Sequence, residues 1–315
     1  MTATAPRPGQ PFKVLCSYAY FRGHNFGPLL QSVHQGPAMV FGDSGAHSAR
    51  TLGISLTLDG YAAWCHRWDQ YLTLYANLDV IGAPEATWRN QRALEEQHGL
   101  TPIPVFHTGE PWSYLERYID EGYTYIALGK LLGNPLDDLL PWLDKAFRVA
   151  GDRAVFHGFG MTVWDVVRRL PFYSVDSSTW TQPYRFGIVK LFDQHRGRWV
   201  SFLLRDKPKV LRYRDLLRAH HTEPRVYASH GTYNREEATV TAAIAWRRAE
   251  AYLRARHGPI HMPPSPRDPI TRHSGTATPG LHLYLAESTT TNIYRASNGV
   301  RVRAHLEHPH DHTRA

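Results

Sequence analysis

Three aspartates follow short apolar runs. Asp43 lies in Phe41-Gly-Asp-Ser-Gly-Ala-His-Ser48, Asp79 in Ala76-Asn-Leu-Asp-Val-Ile-Gly82 and Asp176 in Phe172-Tyr-Ser-Val-Asp-Ser-Ser-Thr-Trp180. A buried carboxylate is costly unless paired or hydrogen-bonded, so three at strand ends need a reason. Each alone would also serve as a helix cap or a loop clamp. Three at corresponding ends of different strands point instead to a shared site. Two carboxylates facing an anomeric carbon suit glycosyl transfer with retention. One attacks C1′ and holds the sugar as an ester; the other moves protons on the departing and arriving groups.

The elements that must carry these residues alternate. Short β-rich runs occupy 13–20, 38–42, 76–81, 103–107, 124–128, 154–157 and 173–175. Between them lie segments with helical spacing at 58–75, 84–98, 111–122, 135–150 and 162–170. In 58–75 the residues Tyr61, Trp64, Cys65, Trp68, Tyr71, Leu72 and Tyr75 fall on one stripe, as in a core-facing helix. Repeated strand–helix units predict a parallel sheet, and seven of them favour a (β/α)8 TIM barrel. No Gly-x-Gly-x-x-Gly follows the first strand, which weakens a dinucleotide-binding alternative. Barrel active sites lie at the C-terminal strand ends, where the three aspartates stand. The runs at 186–192 and 199–204 predict a hairpin, one strand of which is expected to close the barrel. Residues 236–257 predict a helix with Asn234 as N-cap, and 281–303 allow a short hairpin. The expected organisation is a flexible N-terminus (1–12), a barrel domain (13–258) with a basic appendage at 181–258, and a Pro/His-rich extension (259–315).

At this point six segments resemble, in order, those of the tRNA-guanine transglycosylase superfamily. They are Asp43-Ser-Gly-Ala-His, Asn77-Leu-Asp, Pro104-Val-Phe-His-Thr-Gly109, Tyr125-Ile-Ala-Leu-Gly-Lys-Leu-Leu-Gly133, His157-Gly-Phe-Gly160 and Val175-Asp-Ser-Ser-Thr-Trp180. The pairing of Val-Phe-His-Thr-Gly-Glu with Pro-Phe-Tyr-Ser-Val-Asp-Ser is most similar to the phage and bacterial DNA-acting branch, the DpdA group. The chain departs from the tRNA enzymes in lacking their cysteine-rich zinc site. At the best match, His107 stands where the family has a base-binding Gln, and Lys130 where it has a second Gly. The resemblance implies Asp176 as nucleophile and Asp43 as general acid/base. It implies base binding by Ser44, Asp79, His107, Gly129 and Gly158, with Asp79 accepting from the N1–H and exocyclic amine of a guanine-like ring. It implies exchange of guanine in DNA for a 7-deazaguanine base, cyano- or aminomethyl-substituted, with no metal and no redox cofactor. Exchange on tRNA, a hydrolytic glycosylase and an idle nucleic-acid-binding barrel remain as alternatives.

The charge distribution fits a polyanionic partner. The formal net charge is +8. Residues 181–258 hold 16 Lys and Arg against 7 Asp and Glu, so the whole excess lies in this block. A solvated surface would read the same way. Candidate phosphate contacts are Lys130, Arg185, Lys190, Arg196, Arg198, Lys207 and Lys209. A base inside a duplex must be extruded before its C1′ can be reached. Two cysteines, Cys16 and Cys65, cannot build a disulfide framework and read as free thiols of a reducing, cytoplasmic compartment. No apolar run predicts a membrane span or a leader, and a homodimer is compatible with the composition.

Overall fold

The computed structural model describes residues 11–23, 25–181, 186–228, 235–265, 267, 280–287, 293 and 295–301. Asn234, Arg185, most of the N-terminal segment and the terminal histidines lie outside the described residues.

Strand and helix alternate through the first seven strands. β1 (Phe12–Ser17) leads into α1 (Tyr18–Phe21) and α2 (Gly27–Val33), and β2 (Ala38–Asp43) into α3 (Ala46–Leu52) and α4 (Leu58–Trp68). Then come β3 (Leu74–Tyr75) and α5 (Pro84–Glu96), β4 (Val105–His107) and α6 (Trp112–Asp120), β5 (Tyr125–Gly129) and α7 (Leu136–Ala150). β6 (Val155–Gly158) is followed by α8 (Trp164–Arg169), and β7 (Ser174–Ser177) completes the run. An antiparallel hairpin of β8 (Ile188–Asp193) and β9 (Arg198–Leu203) follows. Three short helices, α9 (Lys207–Arg212), α10 (Arg214–Ala219) and α11 (Arg225–Ala228), lead to the long α12 (Arg235–His257). β10 (His282–Glu287) is the last strand described, with helical residues at 295–301 beyond it.

Eight strands form one parallel sheet in the order β3-β2-β1-β10-β7-β6-β5-β4. The sheet curls until its two outer strands approach each other. Ala76 and Ile103 form a parallel bridge, and Asn77 N–H donates to the Ile103 carbonyl at 2.9 Å. This α/β architecture is compatible with a TIM-like barrel.

The eighth strand corrects the sequence reading. The hairpin β8–β9 forms its own two-stranded sheet, and β10 inserts between β1 and β7. Residues beyond 258 therefore contribute a central strand, and the expected boundary at 258 does not hold. The third strand also begins earlier than expected. Helix α4 stops at Trp68, Thr73 N–H donates to the Val40 carbonyl, and 76–81 become the loop that carries Asp79.

Alternation along the strands builds two cores. Val14, Val40, Phe106, Ile126, Phe156, Val175 and Leu283 pack between sheet and helices. Leu15, Phe41, Val105, Ala127 and Tyr284 pack together on the concave face. Side chains of the second parity at the C-terminal strand ends must therefore look into the mouth of the curl. Helix α12 is buried along most of its length because it serves two cores. Ile244, Trp246 and Leu253 join the sheet–helix layer, while Ala245 and Ala249 pack on Phe192 of the hairpin. Lys13 of β1 makes a buried ion pair with Glu250 of α12. Burial pushes the Lys13 ammonium pKa down, and Glu250 opposes that shift.

Truncation after Gly258 should abolish cooperative thermal unfolding, followed by circular dichroism, because β1 and β7 each lose a neighbour. A truncated chain that melts in one sharp transition would contradict the placement of β10.

Candidate active site

A cleft of about 750 Å³ opens at the C-terminal ends of the sheet strands. Asp43, Asp79, His107, Gly129, Lys130 and Asp176 all line it. Sheet register explains the convergence. Ser17 pairs with Asp43, His107 with Gly129, and Tyr284 with Asp176. Each of these positions shares the parity of the concave core.

Asp43 ends β2 and is half-buried. Its carboxyl is pushed up to about 7, first by removal from water and then by the charges of Asp79 and Asp176. The Gly45 amide and the Ser17 hydroxyl favour the charged form but do not prevail. Gly45 is required by shape. It sits at φ +75, and a Cβ there would lie 2.2 Å from Ser17 Oγ.

Asp79 belongs to a chain of hydrogen bonds. Ser44, fully buried, donates to Asp79 Oδ1 at 3.0 Å. His107 Nε2 lies 2.9 Å from Asp79 Oδ2, and Nδ1 lies 2.8 Å from Glu110 Oε1. Glu110 also accepts from the His107 backbone N–H at 3.0 Å. Burial disfavours the charged ring, but hydrogen bonds to Asp79 and Glu110 outweigh it and raise His107 to about 9. The imidazolium is thus held between two carboxylates. His107 lines the cleft as expected, with both its nitrogens engaged and its ring buried, so reading a base would require one of these bonds to be exchanged. The His-x-x-Glu spacing was the available signal for Glu110.

Asp176 is buried in β7, and its Oδ1 accepts from the Gly160 N–H at 2.6 Å. Gly160 sits at φ +63 and lines the cleft. Gly158 does not line it. A Cβ there would meet Met161 at 2.9 Å and Phe172 at 3.0 Å, so Gly158 makes room for the segments that flank α8. The physical reason is parity: His157, its neighbour, faces inward.

Lys130 adopts φ +55, unusual for a residue with a side chain. Thr108 Oγ1 and Asn134 Nδ2 both donate to its carbonyl, at 2.8 and 2.7 Å, and hold the turn. Arg50 and His47, which sequence reasoning passed over, join it at the cleft wall.

Among the described residues, the other candidate cations do not line the cleft. Lys190 is directed over the rings of Trp199 and Trp246, at 4.9 and 5.3 Å, and burial lowers its pKa. That packing occupies the ammonium expected to contact phosphate. Arg196 is exposed and pairs with Asp193 at 3.5 Å, and Lys209 pairs with Asp206 at 3.1 Å. Arg198 is exposed on β9, Lys207 starts α9, and Arg185 lies outside the described residues. Cys16 and Cys65 are both buried. Among the described residues no helix is long and apolar enough to cross a membrane.

Two measurements follow from these ionisations. An Asp whose folded pKa is raised adds stability at low pH and loses it as pH rises through about 7. Asp43→Asn should match the wild type near pH 4 and exceed it at pH 8 by on the order of 2 kcal/mol, after allowance for solvent at the cleft. Urea midpoints at the two pH values decide it, and equal midpoints at pH 8 would count against the crowded carboxylate. Separately, ¹⁵N spectra at pH 8 should show both His107 nitrogens protonated; a neutral ring would contradict the two-carboxylate clamp.

Comparisons with protein-family models, with curated proteins and with solved structures find no match to this chain.

Proposed function

We propose that the chain is a base-exchange enzyme built on a closed (β/α)8 barrel, with the segment 186–228 and α12 as a basic appendage. It replaces guanine in DNA with a 7-deazaguanine through a covalent glycosyl–Asp176 ester. The observation that carries this reading is the meeting of Asp43 and Asp176, distant in sequence, in one cleft where the Asp176 charge helps raise the Asp43 carboxyl. The cleft volume suits an extruded nucleotide, within the usual range of roughly 300–1,000 Å³ for small-ligand sites.

In the first half of the reaction, an Asp176 oxygen bonds to C1′ as the C1′–N9 bond breaks. The electron pair leaves with guanine, which takes a proton from Asp43. In the second half, N9 of the incoming base bonds to C1′ and gives its proton to Asp43. The ester C–O bond breaks, and its electron pair returns to Asp176. A carboxyl poised at about 7 is present in both forms at neutral pH, so one group serves both halves. Two inversions give net retention. The ester conserves the glycosidic bond energy, so no redox cofactor is required. Asp79 presents an acceptor to the donor edge of a guanine-like ring, and Arg50 and Lys130 supply positive charge for the backbone phosphates.

Mass spectrometry of nucleosides from DNA incubated with the chain and a 7-deazaguanine should show the modified nucleoside. Asp176→Ala should lose both guanine release and the trapped adduct. Full exchange by that variant overturns the assignment. Abasic sites would favour hydrolysis, and exchange on tRNA alone would move the substrate to RNA.

A further inference from the structure

Behind Asp176 runs a second line of polar groups. His157 ends the inward parity of β6, with its ring fully buried. Its Nδ1 lies 2.6 Å from Ser174 Oγ, which lies 2.5 Å from the Tyr125 hydroxyl. All three residues are buried. The other ring nitrogen, Nε2, has no aligned hydrogen-bond partner among the described residues. Its carboxylate neighbour is Asp176 Oδ1, at 3.4 Å. A buried donor without a partner carries a desolvation cost, so its orientation needs an explanation.

The protonation state of the ring follows from its surroundings. Burial lowers the His157 pKa, and Asp176 only partly offsets this, so the ring is neutral at neutral pH. A neutral ring has one N–H, and the carboxylate selects where it lies. The Tyr125 hydroxyl donates to Ser174, Ser174 donates to Nδ1, and Nε2–H faces Asp176. The reverse order would set a lone pair against the carboxylate.

We propose that His157 is a positioning residue that, with the Gly160 N–H, cradles Asp176 Oδ1 and leaves Oδ2 to form the bond to C1′. The proposal rests on the reading of Asp176 as nucleophile. No hydrogen bond to Oδ2 exists among the described residues, whereas Oδ1 faces both donors. As the ester breaks, the electron pair of the C1′–Oδ2 bond returns to the carboxylate and charge develops on Oδ1 as well. The resting Nε2 contact is long, and it tightens as that charge grows. The cradle therefore speeds breakdown of the ester more than its formation.

His157→Phe keeps the aromatic contacts with Phe41, Phe159 and Tyr284 and removes the donor. Two readouts test it. In the chain alone, ¹³C spectra of the Asp176 carboxyl should show its pKa rise by about one unit. With DNA substrate, the trapped glycosyl adduct should accumulate, with its breakdown slowed at least about tenfold and its formation little changed. His157→Gln, which restores an N–H donor, should recover part of the rate. Ser174→Ala, which frees the tautomer, should shift both readouts the same way and serves if the Phe variant does not fold. An unchanged Asp176 pKa, or equal slowing of both halves, overturns the proposal. If the wild type forms no adduct, the exchange reading fails while the carboxyl titration still judges the His157 contact.

Discussion

Like charge confined in a small space is the constraint around which this molecule is arranged. Asp43, Asp79 and Asp176 line one cleft with limited access to water. Three bare carboxylates cannot be close neighbours there without relief. The chain relieves each one differently. Asp79 is matched by an imidazolium and a serine hydroxyl, and Asp176 by a backbone amide. Asp43 has the Gly45 amide and the Ser17 hydroxyl, which burial and its two charged neighbours outweigh, and it responds by holding a proton more tightly. The mobile proton of the site is thus a product of burial first and of crowding second, with no special chemistry at Asp43 itself.

Much of this arrangement could be read from residue pattern. Alternating runs and helical stripes gave the parallel sheet, and the three aspartates marked its C-terminal rim. What escaped depended on parity and on distance. The pair His157-Gly158 drew attention to the glycine, yet the strand phase turns the histidine inward. His107 could be seen as polar and well placed, but its capture by Glu110 and Asp79 needs three dimensions. The run 282–287 has the alternation of a strand, and nothing local says that it lies between β1 and β7. Lys190 carries the same charge as its neighbours on the hairpin, and only the indoles of Trp199 and Trp246 distinguish it.

The basic block is consequently less uniform than its charge suggests. Part of it is architecture. Helix α12 links the hairpin core to the sheet–helix layer, and Glu250 reaches Lys13 on the concave side of β1. Other members are screened by near neighbours in sequence, as Arg196 is by Asp193 and Lys209 by Asp206. Positive charge at the cleft itself comes, among the described residues, from Arg50 in α3, from Lys130 on the loop after β5 and from the clamped His107 ring.

The position of β10 bears on how the molecule comes into being. A ribosome delivers β1 first and β7 much later, and the strand that bridges them emerges only after the hairpin and α12. Throughout that interval both flanking strands carry unpaired N–H and C=O groups along one side. Nascent chains in this state can pair with one another, so growth conditions that slow elongation or crowd the polysomes should weigh heavily on yield. A segment that could pass for a linker by composition is thus the piece whose arrival ends the vulnerable period.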